Sequence, residues 1–396
     1  MQRIGIYGGT FNPPHLGHVQ AARYAIEALC LDKLLMIPTN VSPHKALSPD
    51  SPASRQRLEM VRLAVQDESG IEASDIELRR EGPSYTWQTV EALRKESPDA
   101  QLFLLMGTDM FLSFHTWKEP QRIMKHVTLA VFYRGERGEV QTIEAQKQEL
   151  EAMGAAVVLV RNPVVDISST ELRRMLVLRC ASEFLQPAVE RYIRDNGFYG
   201  TGRDFRHLPI ESLQDAVVGL LKPSRVEHVL GCRQAATALA HHWGADETDA
   251  ARAALLHDIT KALDGPLQLT LARSYGMILD DFSSRNTKTL HALTGSWVAE
   301  RVFGENEAVV SAIASHTTGK PGMNLLETII YVADYMEPNR DFPGVEQLRA
   351  LAYSDIYAAL KLGLNMTITM LKQQGREISP ESAQTLAWLE QKEKKQ

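Results

Sequence analysis

Residues 3–18, RIGIYGGTFNPPHLGH, decide the fold of the first half of the chain. The apolar run Arg3–Tyr7 has strand character, two glycines interrupt it, and a helical pattern follows over Gly17–Leu29. The same alternation continues to about residue 200, with strands predicted at Leu34–Pro38, Leu102–Met106, Thr128–Tyr133 and Val157–Val160, and helices at Ala53–Val65 and Thr86–Lys95. Such alternation predicts an α/β domain with a mostly parallel sheet and a ligand site where the strands end.

Beyond residue 200 the strand pattern stops. The glycine-rich segment Gly197–Asp204 is typical of a linker, and helical periodicity dominates from about Ile210. The sequence therefore predicts two domains, over residues 1–200 and 210–396, joined by a linker at residues 201–209. The second domain is expected to be all-α.

The composition is that of a globular protein, with 44% hydrophobic and 23% charged residues. A net charge of −6 gives no reason to expect a nucleic acid or a membrane as partner. The cysteines at 30, 180 and 232 are too far apart to predict a disulfide framework or a thiolate zinc site. No apolar stretch has the length of a signal peptide core or a membrane span, so the expected location is the cytoplasm.

A candidate phosphate site follows the first strand. Its loop allows close backbone approach to a ligand and leads into a helix N-terminus, which favours phosphate, and it consists of Gly8, Gly9, Thr10, Phe11 and Asn12. His15 and His18 are three residues apart, so they can share a face at the start of the helix. There they can donate hydrogen bonds to a polyphosphate and to charge that develops in a transition state. The competing interpretation is a turn with two surface histidines.

A second candidate piece is ISSTELR, Ile167–Arg173. The hydroxyls of Ser168, Ser169 and Thr170 stand at a predicted helix start, where such groups are usually caps. Arg173 adds a cation suited to phosphate within the first turn. Together with the two histidines, this segment predicts a site for a nucleoside triphosphate.

The helical half carries a different pattern of histidines and aspartates, with an adjacent His-Asp pair directly after the apolar run Ala250–Leu256. The candidate ligands are His228, His257, Asp258, His291, His316 and Asp334. Imidazole and carboxylate suit iron, manganese or zinc, and one carboxylate can bridge two ions. A single buried histidine is more often a hydrogen-bonded core residue, but six such groups in an all-α segment favour a binuclear metal site that activates water.

The first half resembles the Rossmann-like adenylyltransferases, and within them the bacterial nicotinate-nucleotide adenylyltransferases. The resemblance covers roughly residues 1–200 and rests on HxGH and ISSTxxR together with, in order, Pro43-His44-Lys45, Ser84-Tyr85-Thr86, Met106-Gly107-Thr108-Asp109 and Phe114-His115-Thr116-Trp117. It implies transfer of an adenylyl group from ATP, with its Mg²⁺, to nicotinate mononucleotide. One departure is Arg134-Gly135-Glu136, where the family usually has Arg-Pro-Gly, and it affects only the expected conformation of that loop.

The roles of single residues follow from this resemblance alone. His15 and His18 would bind the ATP phosphates, with Lys45, Ser169 and Arg173 as further phosphate contacts. Gly107 and Asp109 would belong to the adenosine site. Thr86 and Trp117 would form the pyridine pocket.

The second half, over roughly residues 210–385, resembles the HD superfamily of metal-dependent phosphohydrolases, and in particular the YqeK type. The motifs are Ser224–His228, Leu256–Lys261, Ser315–Gly319 and Ala333–Arg340. The resemblance implies symmetrical hydrolysis of diadenosine tetraphosphate to two ADP at a binuclear site that holds the six ligands named above, with iron expected and manganese as the alternative. Lys261 and Arg340 would bind phosphate.

Three other interpretations of the second half stay open at this point. In the first, the second half hydrolyses a different nucleotide. In the second it is a metal-binding regulatory module, and in the third it is an appendage that dimerises the transferase. The oligomeric state, including a homo-oligomer, is likewise open.

Overall fold

The computed structural model describes residues 1–41, 47, 51–133, 138–161 and 167–394. The chain divides into two compact units, Met1–Arg203 and Asp204–Gln396. The boundary falls within the predicted linker, but the later part of that segment is anchored to the helical unit. The Phe205 ring lies 5.7 Å from that of Phe303, and the His207 N–H donates to the Phe303 carbonyl.

Within its described residues, the first unit is built on one sheet of six strands, all parallel, in the order β3-β2-β1-β4-β5-β6. The strands are β1 (Arg3–Gly9), β2 (Lys33–Pro38), β3 (Ile71–Ala73), β4 (Gln101–Gly107), β5 (Val127–Tyr133) and β6 (Ala156–Arg161). Residues Leu34–Ile37 of β2 are all buried, as expected for a parallel strand covered on both faces. Only the three-residue β3 was not predicted, because so short a segment carries no periodicity.

Eight α-helices in the described part of this unit connect and cover these strands. They are α1 (Leu16–Ala28), α2 (Ser54–Val65), α3 (Thr86–Glu96), α4 (Thr108–Leu112), α5 (Pro120–Met124), α6 (Glu139–Ala152), α7 (Ser169–Val177) and α8 (Pro187–Asp195). Phe111 and Phe114 are fully buried and join the core on one face of the sheet, which ties the segment after β4 to the strand edge.

The second unit contains no strand among residues 204–394. Its helices are α9 (Ile210–Leu220), α10 (Pro223–Trp243), α11 (Glu247–Leu256), α12 (Gly265–Ser274), α13 (Asp281–Arg285), α14 (Leu290–Val298), α15 (Glu307–Ser315), α16 (Leu325–Met336), α17 (Val345–Ala352), α18 (Ile356–Gln373) and α19 (Pro380–Glu393). In α16 every residue from Leu326 to Ala333 is buried, which marks it as the central helix of this unit. The prediction of a parallel α/β domain followed by a helical domain is confirmed.

The segment that carries His257, Asp258 and Lys261 is not helical. α11 ends at Leu256, and the residues that follow form successive turns. The Ile259 N–H donates to the Leu256 carbonyl and the Lys261 N–H to that of Asp258.

No helix among the described residues is both long enough and apolar enough to span a membrane.

Candidate active sites

The strand order of the first unit opens a crevice between β1 and β4, where the direction of strand addition reverses. β1 pairs with β2 as far as Gly9 with Pro38, but its pairing with β4 ends at Ile6 with Leu104. Both strands continue past that point, to Gly9 and Gly107, so they separate at their carboxyl ends.

A cavity of about 370 Å³ occupies this crevice. Its lining includes predicted site residues from four segments, namely Gly8, Gly9, Thr10, Thr86, Gly107 and Trp117. A Cβ at Gly8 would meet no atom within 4 Å, which leaves room for a ligand beside the backbone. Asp109 lies in the first turn of α4, two residues after Gly107. Lys118 is the one cation among the described lining residues, and its ammonium lies 4.4 Å from the centre of the Tyr85 ring.

His15 and His18 stack at the start of α1, with ring centroids 3.6 Å apart. The His15 N–H donates to His18 Nδ1 at 3.2 Å. Because Nδ1 accepts this bond, the proton of a neutral His18 ring is on Nε2, which is therefore a donor. Phe11, with φ of 46°, holds its ring 5.1 Å from that of His18.

Both imidazoles are neutral near pH 7. Burial lowers the pKa of His15 to about 4. Burial and the neighbouring His15 lower the pKa of His18 well below its ordinary value. Neutral rings in this position are hydrogen-bond donors and not fixed cations.

The segment at the start of α7 is attached to the same loop. Arg173 Nη1 donates to the Asn12 carbonyl at 2.8 Å, and Ser169 Oγ to the Pro13 carbonyl at 3.4 Å. Arg173 Nη2 also donates to Thr170 Oγ1 at 3.1 Å. The structure thus brings together two motifs that lie about 150 residues apart in sequence. Ser168 acts as the helix cap, since its hydroxyl accepts from the Glu171 N–H at 3.1 Å.

Arg57 of α2 stabilises the loop after β1 through hydrogen bonds to backbone carbonyls. It is 1% exposed, and its guanidinium donates to the carbonyls of Thr10 at 2.6 Å and Thr39 at 2.7 Å. Two further bonds reach the carbonyls of Asn40 and Pro52. A buried cation that binds four carbonyls fixes the course of the backbone around the crevice.

In the second unit the six predicted ligands converge from five helical segments. His228 lies within α10, His257 and Asp258 follow α11, His291 is in the first turn of α14, His316 follows α15, and Asp334 lies in α16. His228 Nε2 is 3.1 Å from Asp334 Oδ1 and 3.3 Å from His257 Nε2. His291 Nε2 is 3.1 Å from His316 Nε2.

The orientation of the four rings is fixed through the opposite nitrogen. His257, His291 and His316 place Nδ1 at 2.7, 2.8 and 2.7 Å from the backbone carbonyls of Ala254, Lys288 and Ile313. His228 places Nδ1 3.1 Å from Glu337 Oε1. Since a carbonyl oxygen only accepts, Nδ1 carries the proton in the rings of His257, His291 and His316, and their Nε2 atoms present lone pairs to the centre. These three lone pairs, with Nε2 of His228 beside them, suit a cation between them.

Asp258 lies between two halves of this cluster and is 1% exposed. Its Oδ1 is 3.3 Å from His291 Nε2 and 3.9 Å from His316 Nε2, and no hydrogen-bond partner was found for this buried oxygen among the described residues. Its Oδ2 is 3.6 Å from His257 Nε2 and 3.8 Å from His228 Nε2. Burial opposes ionisation, but His257, Lys261 and His291 lower the pKa of Asp258 overall.

Cations flank the cluster on both sides. Lys261 Nζ is 2.8 Å from His291 Nε2 and 3.5 Å from Asp258 Oδ1. Arg225 contacts Asp258 Oδ2, and Arg340 donates to Asp334 Oδ1 at 2.8 Å. A cavity of about 640 Å³ opens beside Lys261 and His291, with Lys288 and Arg376 also in its lining.

Two family models match the chain. Residues 6–175 match the Cytidylyltransferase-like family, and residues 225–339 match the HD domain. A protein of Desulfatibacillum aliphaticivorans named "Probable nicotinate-nucleotide adenylyltransferase" is 39% identical over 218 residues, which is 50% of this chain and 99% of the relative. A protein of the same name from Neisseria meningitidis serogroup B is 36% identical over 205 residues, again 50% of this chain and 99% of the relative.

Through its first half, the chain belongs to the nicotinate-nucleotide adenylyltransferase family.

The second half contains an HD domain. A solved structure from Clostridium acetobutylicum, described as a predicted HD superfamily hydrolase involved in NAD metabolism, is 35% identical with a TM-score of 0.46, and the match covers 47% of this chain and 98% of that one.

Two predictions for the adenylyltransferase half fall outside the described residues. They are the motif Pro43-His44-Lys45, with its phosphate contact Lys45, and the divergent triplet Arg134-Gly135-Glu136.

Other residues at the two sites were not found by sequence reasoning. Arg57 and Lys118 of the adenylyltransferase half lie outside the quoted motifs. Arg225 and Glu337 of the HD domain lie within Ser224–His228 and Ala333–Arg340, but no role was predicted for them, because they act through contacts with distant parts of the chain. Cys232 lies one helical turn after His228, with its Sγ 3.6 Å from His228 Nε2. Burial raises the pKa of the Cys232 thiol, and its Sγ belongs with His228, His257 and Asp334 to a group of side chains that could hold one metal ion.

Proposed function

We propose that the first unit transfers the adenylyl group of ATP to nicotinate mononucleotide, which gives deamido-NAD and pyrophosphate. The observation that carries this proposal is the crevice at the ends of β1 and β4, with the stacked histidines and Arg173 attached to one loop beside it. Family membership supports the same reaction. Asp109 would complete the adenosine end and Lys45 the phosphate end.

In this reaction a phosphate oxygen of the mononucleotide bonds to the α-phosphorus of ATP. The bond from that phosphorus to the α,β-bridging oxygen breaks, and pyrophosphate leaves with that oxygen. No protein nucleophile is needed, because positioning and charge stabilisation carry phosphoryl-type transfers. His18, with its proton on Nε2, would donate to the developing charge. Mg²⁺ would arrive with ATP.

The pyridine end of the crevice supports the acid over the amide as substrate. Thr86 and Trp117, to which the resemblance assigns the pyridine pocket, line the cavity, together with Lys118 as its one described cation and Glu77 as its one described carboxylate. A carboxylate gains from that charge, whereas a neutral carboxamide of the same shape does not.

We infer that the second unit is a metal-dependent phosphohydrolase. The donor set fits a binuclear site, because two carboxylates and four imidazole Nε2 atoms converge and Asp258 turns one oxygen to each half. His228, His257 and Asp334 would hold one ion, His291 and His316 the other, and Asp258 both. Iron is the first candidate and manganese the second. When bound, such ions lower the pKa of water and offset phosphate charge.

The proposed substrate is diadenosine tetraphosphate, which takes up one water to give two ADP. The cavity beside Lys261 has the volume of a nucleotide site. Lys261 and Arg340 flank the cluster and would bind phosphate oxygens, although Arg340 also fixes Asp334. Lys288 and Arg376 bring further positive charge to the cavity wall.

A substrate panel on the full chain tests both proposals. The protein is stripped of metal, reloaded with iron, manganese or magnesium, and incubated with diadenosine tetraphosphate, deamido-NAD and simple mononucleotides, while ATP plus nicotinate mononucleotide tests the transferase. We expect two ADP from the tetraphosphate and deamido-NAD from the second mixture. Hydrolysis of another nucleotide alone would refute the substrate, and bound metal without turnover would favour a regulatory module. A soluble chain that binds no metal would favour an appendage, which its oligomeric state would then characterise.

A further inference from the structure

The four histidines of the cluster are oriented in two different ways. His257, His291 and His316 stand at helix ends or in a first turn, and each pairs Nδ1 with the carbonyl three residues earlier. His228 lies in the interior of α10, where the carbonyls of the preceding turn are engaged in the helix's own hydrogen bonds. Its Nδ1 therefore needs a partner from elsewhere in the chain.

Glu337 supplies that partner from 109 residues away, with Oε1 3.1 Å from His228 Nδ1. The carboxylate is itself held in place. Its side chain is 2% exposed, and Oε2 accepts from the Asn339 N–H at 2.7 Å. Glu337 follows the last turn of α16, three residues after Asp334, so the end of one helix brings both a ligand and the group that orients another ligand.

Gly231 makes this approach possible. A Cβ at that position would overlap Glu337 Oε2 and lie 3.0 Å from Asn339 Nδ2. Glycine in a helix interior costs about 1 kcal/mol relative to alanine. Its place in α10, one turn after His228, is explained by the room that the carboxylate requires.

We propose that Glu337 is the positioning residue for metal binding at this cluster, and that Gly231 is there to admit it. This inference rests on the proposed metal site. By accepting the Nδ1 proton, Glu337 keeps the Nε2 lone pair of His228 directed at Asp334 and His257, and makes the imidazole a stronger donor. Loss of such an outer partner typically weakens metal affinity 10- to 100-fold.

The test compares Mn²⁺ affinity, by chelator competition and electron paramagnetic resonance, in the full-length wild type, Glu337→Ala, Glu337→Gln and Gly231→Ala. Gly219→Ala is the matched control, because Gly219 also lies in a helix, α9, but a Cβ there meets nothing within 4 Å. We expect about 10- to 100-fold weaker binding for Glu337→Ala and Gly231→Ala. Glu337→Gln, which still offers an oxygen to Nδ1, is expected to stay closer to the wild type, and Gly219→Ala to match it.

Circular dichroism and thermal unfolding in chelator separate positioning from folding. If Glu337→Ala is folded and binds Mn²⁺ like the wild type, the positioning role is refuted. If Glu337→Ala does not fold, Gly231→Ala decides, and wild-type affinity in that variant overturns the proposal. A wild type that binds no Mn²⁺ or iron would refute the metal site itself, which is a distinguishable failure.

Discussion

The histidines of the two units differ in the hydrogen bond made by Nδ1, the ring nitrogen that faces away from the centre of each site. In the crevice of the first unit, His18 Nδ1 accepts a backbone N–H, so its Nε2 is a proton donor. In the helical unit, His257, His291 and His316 direct Nδ1 at carbonyls, so their Nε2 atoms are lone-pair donors. One arrangement suits a developing anion and the other suits a cation.

In both units the outer hydrogen bond of a histidine selects its tautomer, and with it whether Nε2 donates a proton or a lone pair. Burial alone does not distinguish the sites, since burial lowers the pKa of both His15 and His316 to about 4. The rings of His15 and His316 are therefore both neutral near pH 7. What differs is the tautomer, and the tautomer follows from a single backbone group.

The largest expected difference between the two units is the effect of Asp258→Ala. Asp258 faces both halves of the cluster, so the variant should lose metal and all measurable phosphohydrolase activity, while adenylyl transfer stays within a few-fold. Metal content, both activities and circular dichroism are measured on one preparation, because loss of metal can unfold a domain.

Asp249→Ala is the control, because Asp249 is another aspartate on the α11 segment, and its Oδ1 accepts a hydrogen bond from Asn306 Nδ2 at 2.9 Å. A folded Asp258→Ala protein that keeps metal and hydrolysis would contradict the metal assignment. A joint fall of both activities in a folded protein would instead contradict the independence of the two sites.

The next effect concerns the donor role of His18. His18→Ala should lower kcat for adenylyl transfer by about two to three orders of magnitude, with little change in ATP affinity, because a transition-state donor is lost. His18→Gln places an amide N–H near the position of Nε2 and should recover part of that loss. Equal kcat values for the two variants would argue against an Nε2–H donor. A near-normal kcat in both would favour the competing interpretation, in which His18 has no catalytic role.

The neutral state of His15 predicts an acid-sensitive first unit. The pKa of His15 is lowered to about 4 from its ordinary 6.5, so between these values the unfolded chain binds a proton that the folded chain does not. The free energy of unfolding should therefore fall as the pH drops from 6.5 to 4, by about 3 kcal/mol from this group.

Urea unfolding without nucleotide, over this pH range, measures the effect. His15→Gln does not titrate, so its stability should decline less steeply than that of the wild type. Parallel pH dependence in the two proteins would show that His15 is not buried in its neutral form.

The smallest expected effect tests the charge in the crevice. Lys118→Met should reduce the ratio of kcat/KM for nicotinate mononucleotide over nicotinamide mononucleotide by about two- to fivefold, as expected for one partly solvated charge. Lys95→Met, an exposed substitution on α3, is the control. An unchanged ratio would exclude Lys118 from substrate selection, and a wild type that prefers the amide would refute the proposed substrate.

Much of the fold followed from the sequence because its signals are local. The apolar runs of β1, β2, β4, β5 and β6 each predicted a strand within two residues of its observed bounds. The short β3 did not, because it exists through pairing with β2.

The sites were predictable to the extent that their residues fall in recognisable short patterns. HxGH and the His-Asp pair are such patterns, and the structure places the predicted ligands within one cluster. Arg57 belongs to no such pattern, and Glu337 lies within the motif Ala333–Arg340 without any role predicted for it, because both act on distant segments of the chain. Their roles become visible only when burial and hydrogen-bond partners are known.

The continuity of the chain across Arg203 and Asp204 has a consequence for the cell. Each translated polypeptide delivers one crevice and one histidine cluster, so gene dosage and promoter strength change both in equal number. The polypeptide itself therefore fixes the number of the two sites at one to one.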